Sequence, residues 1–251
     1  MPAAQFVKER PDAPPGFFEI EAAGLRWLAV PNGVPVVQPL DVSPGRLVLP
    51  RLEAAPPTAA AAEAFGRRLA ITHAAGAAYF GVPPDGWTGD GYIGNAALPH
   101  PPAPVDSWAE FYVTYRLEPY LRLAYDSGAF DDRERALFDR VCRKVADEAP
   151  EPPSRIHGDL WSGNVLWTPD GVQLIDPAAH GGHRETDLAM LAVFGLPELE
   201  RVLAAYDEAH PLAAGWRERA GLHQLHPLLV HVVLFGGSYV GQAVATAARY
   251  G

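Results

Sequence analysis

Apolar positions follow strand-like spacing in the first fifty residues and helical spacing over most of the rest. Gln5–Lys8 is a short strand candidate, and Phe17–Ala29 sets Phe17, Ile20, Leu25 and Leu28 near one helical face. Val34–Gln38 and Arg46–Leu49 read as two further strands, with turn chemistry at Asn32-Gly33 and Pro44-Gly45. Ala54–Pro57 reads as a linker. Thr58 can cap a helix running to about Ala75, because its hydroxyl can take a free N–H of the first turn. Pro83–Pro104, rich in Pro and Gly, reads as a long loop. Ser107-Trp108-Ala109-Glu110 fits a capping box opening a helix, and Pro119 is expected to kink or end its first part. Asp131 opens another helix, with Leu137, Val141 and Val145 on one face, and Pro152-Pro153 closes that region. Val165–Trp167 and Val172–Ile175 flank Thr168-Pro169-Asp170-Gly171 as a β-hairpin. From Thr186 onward helical patterns dominate. The pattern predicts an α+β protein with a sheet-containing segment at 1–53 and a larger, mainly helical segment at 54–251.

Composition narrows the function classes. A chain of 251 residues can bury a substantial core, and 48% hydrophobic with 20% charged residues is ordinary globular usage. A net charge of −10 argues against nucleic acid as the main partner, since phosphate neutralisation needs a basic face. No apolar run approaches the roughly 20 residues of a membrane span. The first residues, MPAAQFVKERPD, lack an apolar signal core. Cys142 is the single cysteine, so no internal disulfide and no thiolate cluster can form, and a cytoplasmic location is expected. Lysine occurs only at Lys8 and Lys144.

The chemistry concentrates in Arg155–Asp187, RIHGDLWSGNVLWTPDGVQLIDPAAHGGHRETD. Asp159, on a loop after a strand-like segment, suits a carboxylate that orients and deprotonates an attacking hydroxyl. Asn164, five residues on, and Asp176, at the end of an apolar strand, offer the hard oxygen donors that Mg2+ prefers. That order is what phosphoryl transfer from a magnesium-bound nucleotide needs. Taken singly, each has a plainer reading: a turn aspartate, a turn asparagine, a helix cap. The three in this order favour the functional one. Lys8, in the strand-like Phe6-Val7-Lys8, is the candidate phosphate-binding lysine, with Glu21 on the following helix as its ion-pair partner. An exposed edge-strand lysine is the plain alternative.

Other motifs compete less well. Gly89-Asp90-Gly91-Tyr92-Ile93-Gly94 matches G-x-G-x-x-G but follows no convincing strand and comes after Lys8, so it reads as a mobile loop near the cleft. His180 and His183 with Glu185 and Asp187 could suggest a transition-metal site and a metal-dependent hydrolase. A substrate loop, with Asp187 supporting the catalytic loop, is the better reading. Trp161 could present a flat wall to a sugar or an aromatic group, or simply pack in the core.

HGDLWSGNVLW (His157–Trp167), DPAAHGGHRETDLAML (Asp176–Leu191), EFYVTYRLEPYLRLA (Glu110–Ala124) and LHQLHPLLVHVVLFGGSY (Leu222–Tyr239) resemble the fructosamine, or ketosamine, kinases. These belong to the aminoglycoside-phosphotransferase branch of the protein-kinase-like fold. The similarity runs from about Phe6 to the C-terminus. It implies a bilobal fold and ATP-dependent, Mg2+-assisted phosphorylation of a sugar hydroxyl on a ketosamine, either a small molecule or a glycated protein, in deglycation repair. It further implies a hinge at Leu49–Leu52, with backbone groups of Pro50 and Leu52 meeting adenine. Trp161 and the His180–Arg184 loop, with His180 and Arg184 foremost, fall on the substrate side. The resemblance also implies two strands and a phosphate-covering loop ahead of Phe-Val-Lys. Seven residues precede Lys8, so the lobe is read as lacking that pair, which leaves a catalytically impaired, ligand- or partner-binding protein as the alternative.

Overall fold

A computed structural model describes residues 4–145 and 151–251. The chain opens with strand β1 (Gln5–Glu9), helix α1 (Phe17–Leu28) and strands β2 (Asp41–Ser43) and β3 (Arg46–Pro50). The three strands form an antiparallel sheet in the order β1-β3-β2, with Lys8 opposite Leu47. β1 is therefore an edge strand, and Phe6 and Val7 on it are exposed. The predicted strand at Val34–Gln38 does not form. Pro35 offers a carbonyl but no N–H, and the segment makes a single parallel bridge, Val36 to Leu174.

Helix α2 (Ala59–Ala74) starts on Thr58, whose hydroxyl accepts from the N–H of Ala61. The Pro/Gly-rich stretch read as a loop contains a hairpin, β4 (Gly91–Ile93) and β5 (Ala96–Leu98), turned by Gly94-Asn95. Helix α3 (Trp108–Phe111), capped by Ser107, runs into a π-helical turn, Tyr112–Leu117, and then α4 (Glu118–Asp126). Pro119 accounts for the irregularity: it has no N–H for the carbonyl of Tyr115 and crowds it. That carbonyl instead accepts from Nη1 of Arg116 at 2.9 Å.

Helix α5 (Asp132–Val145) is capped by the Asp131 carboxylate, which accepts from the N–H groups of Arg133 and Glu134. Strand β6 (Ser154–Ile156) leads to the His157–Asp159 loop and a 3₁₀ turn, Ser162–Asn164. The predicted hairpin follows as β7 (Val165–Thr168) and β8 (Gly171–Leu174), and β9 (His180–Gly182) returns to pair with β6. Helices α6 (Arg184–Val193), α7 (Leu199–Ala209), α8 (Trp216–Phe235) and α9 (Ser238–Ala247) complete the chain. Among the described residues no helix is long and apolar enough to cross a membrane.

Among the described residues, two hydrophobic clusters hold the molecule. One joins Leu25 of α1 and Leu47 and Leu49 of β3 to Phe65 and Leu69 of α2, Trp167 and Leu174 of the β7–β8 hairpin, and Tyr206 of α7. It spans the Glu53–Ala54 division drawn from composition. The other gathers Phe80, Trp108, Phe111, Tyr120, Phe138, Leu225 and Leu229. The segment carrying the candidate chemistry lies where they meet: Leu160 and Ala179 belong to the first and Ala178 to the second.

Candidate active site

The loop after β6 is held from below by a buried carboxylate. Asp187, near the start of α6, accepts from the N–H of His157 at 2.7 Å and of Gly158 at 2.9 Å. It also meets Nε2 of His73, on α2, at 3.1 Å, and His73 Nδ1 lies 2.9 Å from the Tyr206 hydroxyl on α7. Burial alone would raise the Asp187 pKa, but His73 and the N–H of His157 hold it below the usual carboxylate value. Gly158 makes the tight turn with φ 79°, and a Cβ there would lie 2.2 Å from the carbonyl oxygen of Ala178. Glycine is the residue that fits on both counts.

The turn delivers Asp159 to the cleft. Nδ2 of Asn164 donates to the Asp159 backbone oxygen at 2.8 Å and to its Oδ2 at 3.0 Å, tying the two side chains together. The β7–β8 hairpin then carries the chain back to Asp176, whose φ of 55° is a left-handed geometry that aspartate tolerates better than most residues. Nδ2 of Asn164 also reaches the Asp176 backbone oxygen at 3.4 Å. From the sheet side, Nζ of Lys8 bonds Glu21 Oε1 at 2.7 Å and Asp176 Oδ1 at 2.6 Å. Burial pulls the Lys8 pKa down, but Glu21 and Asp176 more than offset this, so the ammonium stays charged with its pKa raised.

Lys8, Glu21, Asp159, Trp161, Asn164 and Asp176 all line one cleft of about 510 Å³, within the size range of sites for small ligands. Its other walls are Phe17 and Ile20 of α1, the β4–β5 hairpin at Tyr92–Asn95, and Leu234 and Phe235 at the end of α8. Burial pushes the Asp159 carboxyl up to about 7; Asp176 and Asp187 add to the shift, while the Asn164 hydrogen bond works against it. An acid with that proton affinity can accept a proton near neutral pH. The Asp176 carboxylate and the Asn164 amide oxygen, whose Nδ2 is already engaged, are oxygen donors of the kind that suit Mg2+.

The structure does not bring every candidate here. His180 is buried on β9: its Nδ1 meets the Ala178 oxygen at 2.8 Å and its Nε2 accepts from Nε of Arg116 at 3.3 Å. Pairing of Ile156 with His180 sets this direction, which turns the ring beneath the His157–Asp159 loop rather than into the cleft. Arg184, the first residue of α6, grips Glu151 with Nε and Nη2 at 2.7 and 2.8 Å and donates to the His210 and Pro211 carbonyls. It is a structural clamp. Pro50 and Leu52 sit at and just beyond the end of β3, outside the cleft lining. The Gly89–Gly94 motif is not a free loop, since its second half builds β4 and the cleft wall. His183, Glu185 and His223 do gather, with ligand atoms within 4.8 Å of one another. However, Glu185 is gripped at both oxygens by Arg219, so its charge is already neutralised and the set is poorly suited to a cation. Reading the sequence missed His73, which looks like a core residue of α2, and Phe235, whose exposure just before Gly236-Gly237 only the fold reveals.

Residues 3–250 match the fructosamine kinase family. A probable ketoamine kinase of Enterococcus faecium is 33% identical over 247 residues, covering 95% of this chain and 84% of that protein. A crystal structure of a candidate fructosamine-3-kinase from Thermobifida fusca superposes with a TM-score of 0.91 at 51% identity, covering 98% of this chain and 85% of that one. The aminoglycoside phosphotransferase APH(4)-Ia shares the fold, with a TM-score of 0.60 at 17% identity over 98% of this chain and 85% of its own. That protein has also been solved with ADP and hygromycin B. Fold and relatives together define a kinase-like phosphotransferase with an alcohol group as acceptor. Within that class the chain belongs to the fructosamine kinase family.

Proposed function

We propose that this enzyme transfers the γ-phosphoryl group of ATP to a sugar hydroxyl of a small-molecule ketosamine of the fructosamine or ribulosamine type. The observation that carries the reading is the convergence of Asp159, Asn164 and Asp176 with the Lys8–Glu21 pair in one cleft. In this reading residues 1–53 form the nucleotide-binding lobe, with adenine reaching past the cleft lining to the backbone of Pro50 and Leu52 at the end of β3, and 54–251 carry the catalytic loop and the sugar. Lys8, steered by Glu21 and Asp176, holds the phosphates. Asp159 orients the acceptor hydroxyl and takes its proton. Asn164 and Asp176 would hold Mg2+, which supplies positive charge against the phosphate oxygens. Trp161 offers a flat apolar face beside Asp159 for the sugar.

Phosphorylation at the third sugar carbon gives the role its logic. Phosphate is a far better leaving group than hydroxide. Loss of a proton from the first carbon, expulsion of phosphate and hydrolysis of the resulting imine release the free amine, which is deglycation. The test is direct: incubate the purified protein with Mg-ATP and a ribulosamine, and follow phosphosugar formation and amine release. Turnover that Asp159→Asn abolishes without unfolding the chain supports the proposal. Failure to bind Mg-ATP at millimolar concentration overturns it in favour of a ligand-binding protein without catalysis.

A further inference from the structure

Beyond the sugar face of Trp161, the cleft ends in aromatic rings that phosphoryl transfer does not use. Trp161 meets Phe194 edge-on at 5.7 Å, and Phe194 lies 5.1 Å from His231 on α8. His231 in turn stands 5.5 Å from Phe235 and 4.8 Å from Tyr239 of α9, while Phe235 and Tyr239 are 6.0 Å apart. The Gly236-Gly237 turn, with φ 60° and 58°, folds α9 back so that Tyr239 returns to this group. Phe235 is 67% exposed and Trp161 38% exposed, and both line the cleft that holds Asp159. Large rings left in water at the mouth of a polar cleft mark a binding surface rather than a core.

Charge defines what that surface suits. Among the described residues the lining holds four acids, Glu9, Glu21, Asp159 and Asp176, against the single cation of Lys8; Asp159 keeps its proton up to about pH 7, and the other three set the sign. His231 adds little charge, because burial lowers its pKa despite the hydrogen bond that its Nδ1 donates to the Pro227 carbonyl at 2.7 Å, which works the other way. Anionic walls and ring faces together favour a cation, since the face of an aromatic ring is its negative pole. A free sugar has no charge. A ketosamine carries a secondary aliphatic amine, protonated at neutral pH, one carbon from the sugar ketone.

We propose that the rim formed by Phe194, His231, Phe235 and Tyr239, adjoining the sugar face of Trp161, seats the amine half of the acceptor, with the exposed Phe235 ring taking the protonated nitrogen. This rests on the ketosamine reading above and deepens it. The rim distinguishes an adduct from an unmodified or ether-linked sugar, and it admits apolar or aromatic amine substituents that can pack on the remaining rings.

The test uses two acceptors that share one sugar, the cyclohexylamine adduct of ribulose and its 1-O-cyclohexyl ether, and compares kcat/KM for each. The wild type prefers the amine. Phe235→Ala cuts that preference by about 3- to 30-fold, mainly through KM for the acceptor, with KM for ATP unmoved. Phe235→Trp restores the preference, and Phe235→Leu, which keeps apolar bulk without a ring, does not. An unchanged preference in a Phe235→Ala protein with the wild-type unfolding temperature overturns the inference alone, as does an effect confined to KM for ATP. A wild type that turns over no ketosamine overturns the proposed function and the inference with it.

Discussion

The raised proton affinity of Asp159 links catalysis and stability with opposite signs. The group holds its proton up to about pH 7, whereas an unfolded chain releases it near 3.8. Between those values the folded chain binds a proton that the unfolded chain has lost, so raising the pH through that window weakens the fold. Asp159→Asn removes the penalty while keeping an oxygen to accept from Asn164. Without metal or nucleotide, that variant is expected to be more stable than the wild type at pH 8 by about 1–3 kcal/mol, seen as a raised unfolding temperature. The same substitution lowers kcat by about 10²–10⁴-fold in the phosphorylation assay. In the wild type, kcat/KM for the acceptor rises with pH until the Asp159 carboxyl has lost its proton, and the positive charge of bound Mg2+ moves that limb below the value of about 7 that burial sets in the empty cleft. Lys8 is the converse case. Lys8→Met leaves Glu21 and Asp176 facing each other without the ammonium they share, and the affinity for Mg-ATP measured by titration calorimetry is expected to fall at least tenfold. Lys8→Arg does not restore it, because a planar guanidinium cannot replace a compact ammonium between two carboxylates.

Elements hold these residues through contacts that cross the chain. Asp187 ties the His157–Asp159 loop to α2 through His73 and, by way of the Tyr206 hydroxyl, to α7. The α2–α7 contact behind it is close: a Cβ on Gly66 would lie 2.2 Å from the backbone oxygen of Val202. Gly66→Ala gains up to about 1 kcal/mol of helix propensity. It also forces two backbones apart, and overpacking costs about 1–3 kcal/mol where nothing can yield. Net destabilisation is the expected outcome, read as a lower urea midpoint, and a stabilised variant would contradict the close approach. Neither His73 nor Gly66 was legible in the sequence, because each does its work against an element far along the chain. Local signals fared better. Thr58, Ser107 and Asp131 announced their helices because a cap acts within one turn, and the β7–β8 hairpin carried its own turn chemistry. Val34–Gln38 misled because its partner is the distant Leu174. His180 and Arg184 misled because the β6–β9 pairing and Glu151, not their own neighbours, decide which way they face. Asp159, Asn164 and Asp176 were readable together because one short loop and one hairpin bring them to the same cleft.

At the scale of the molecule, the cleft draws its walls from several distant parts of the chain. Lys8 and Glu21 reach it from β1 and α1, Asp159 through Asp176 cross where the two hydrophobic clusters meet, and α8 and the β4–β5 hairpin close the far side. A ligand that contacts all of these binds the folded chain and not the unfolded one, so binding must appear as stability. At a free Mg-ATP concentration of about 100 times Kd, the gain is about 2.7 kcal/mol. A chain of this size shifts its midpoint by roughly 2–4 °C per kcal/mol, which predicts a rise of about 5–10 °C in a thermal melt. ATP with a chelator should give a much smaller shift, because the phosphates then meet Asp159 and Asp176 with only Lys8 to offset them. Magnesium alone should give little, since two protein oxygens hold that ion weakly without phosphates. The Lys8→Met protein should lose most of the Mg-ATP shift while keeping its response to a ketosamine. Equal shifts with and without metal would mean that Asn164 and Asp176 do not form the ion site, even if the nucleotide binds where proposed.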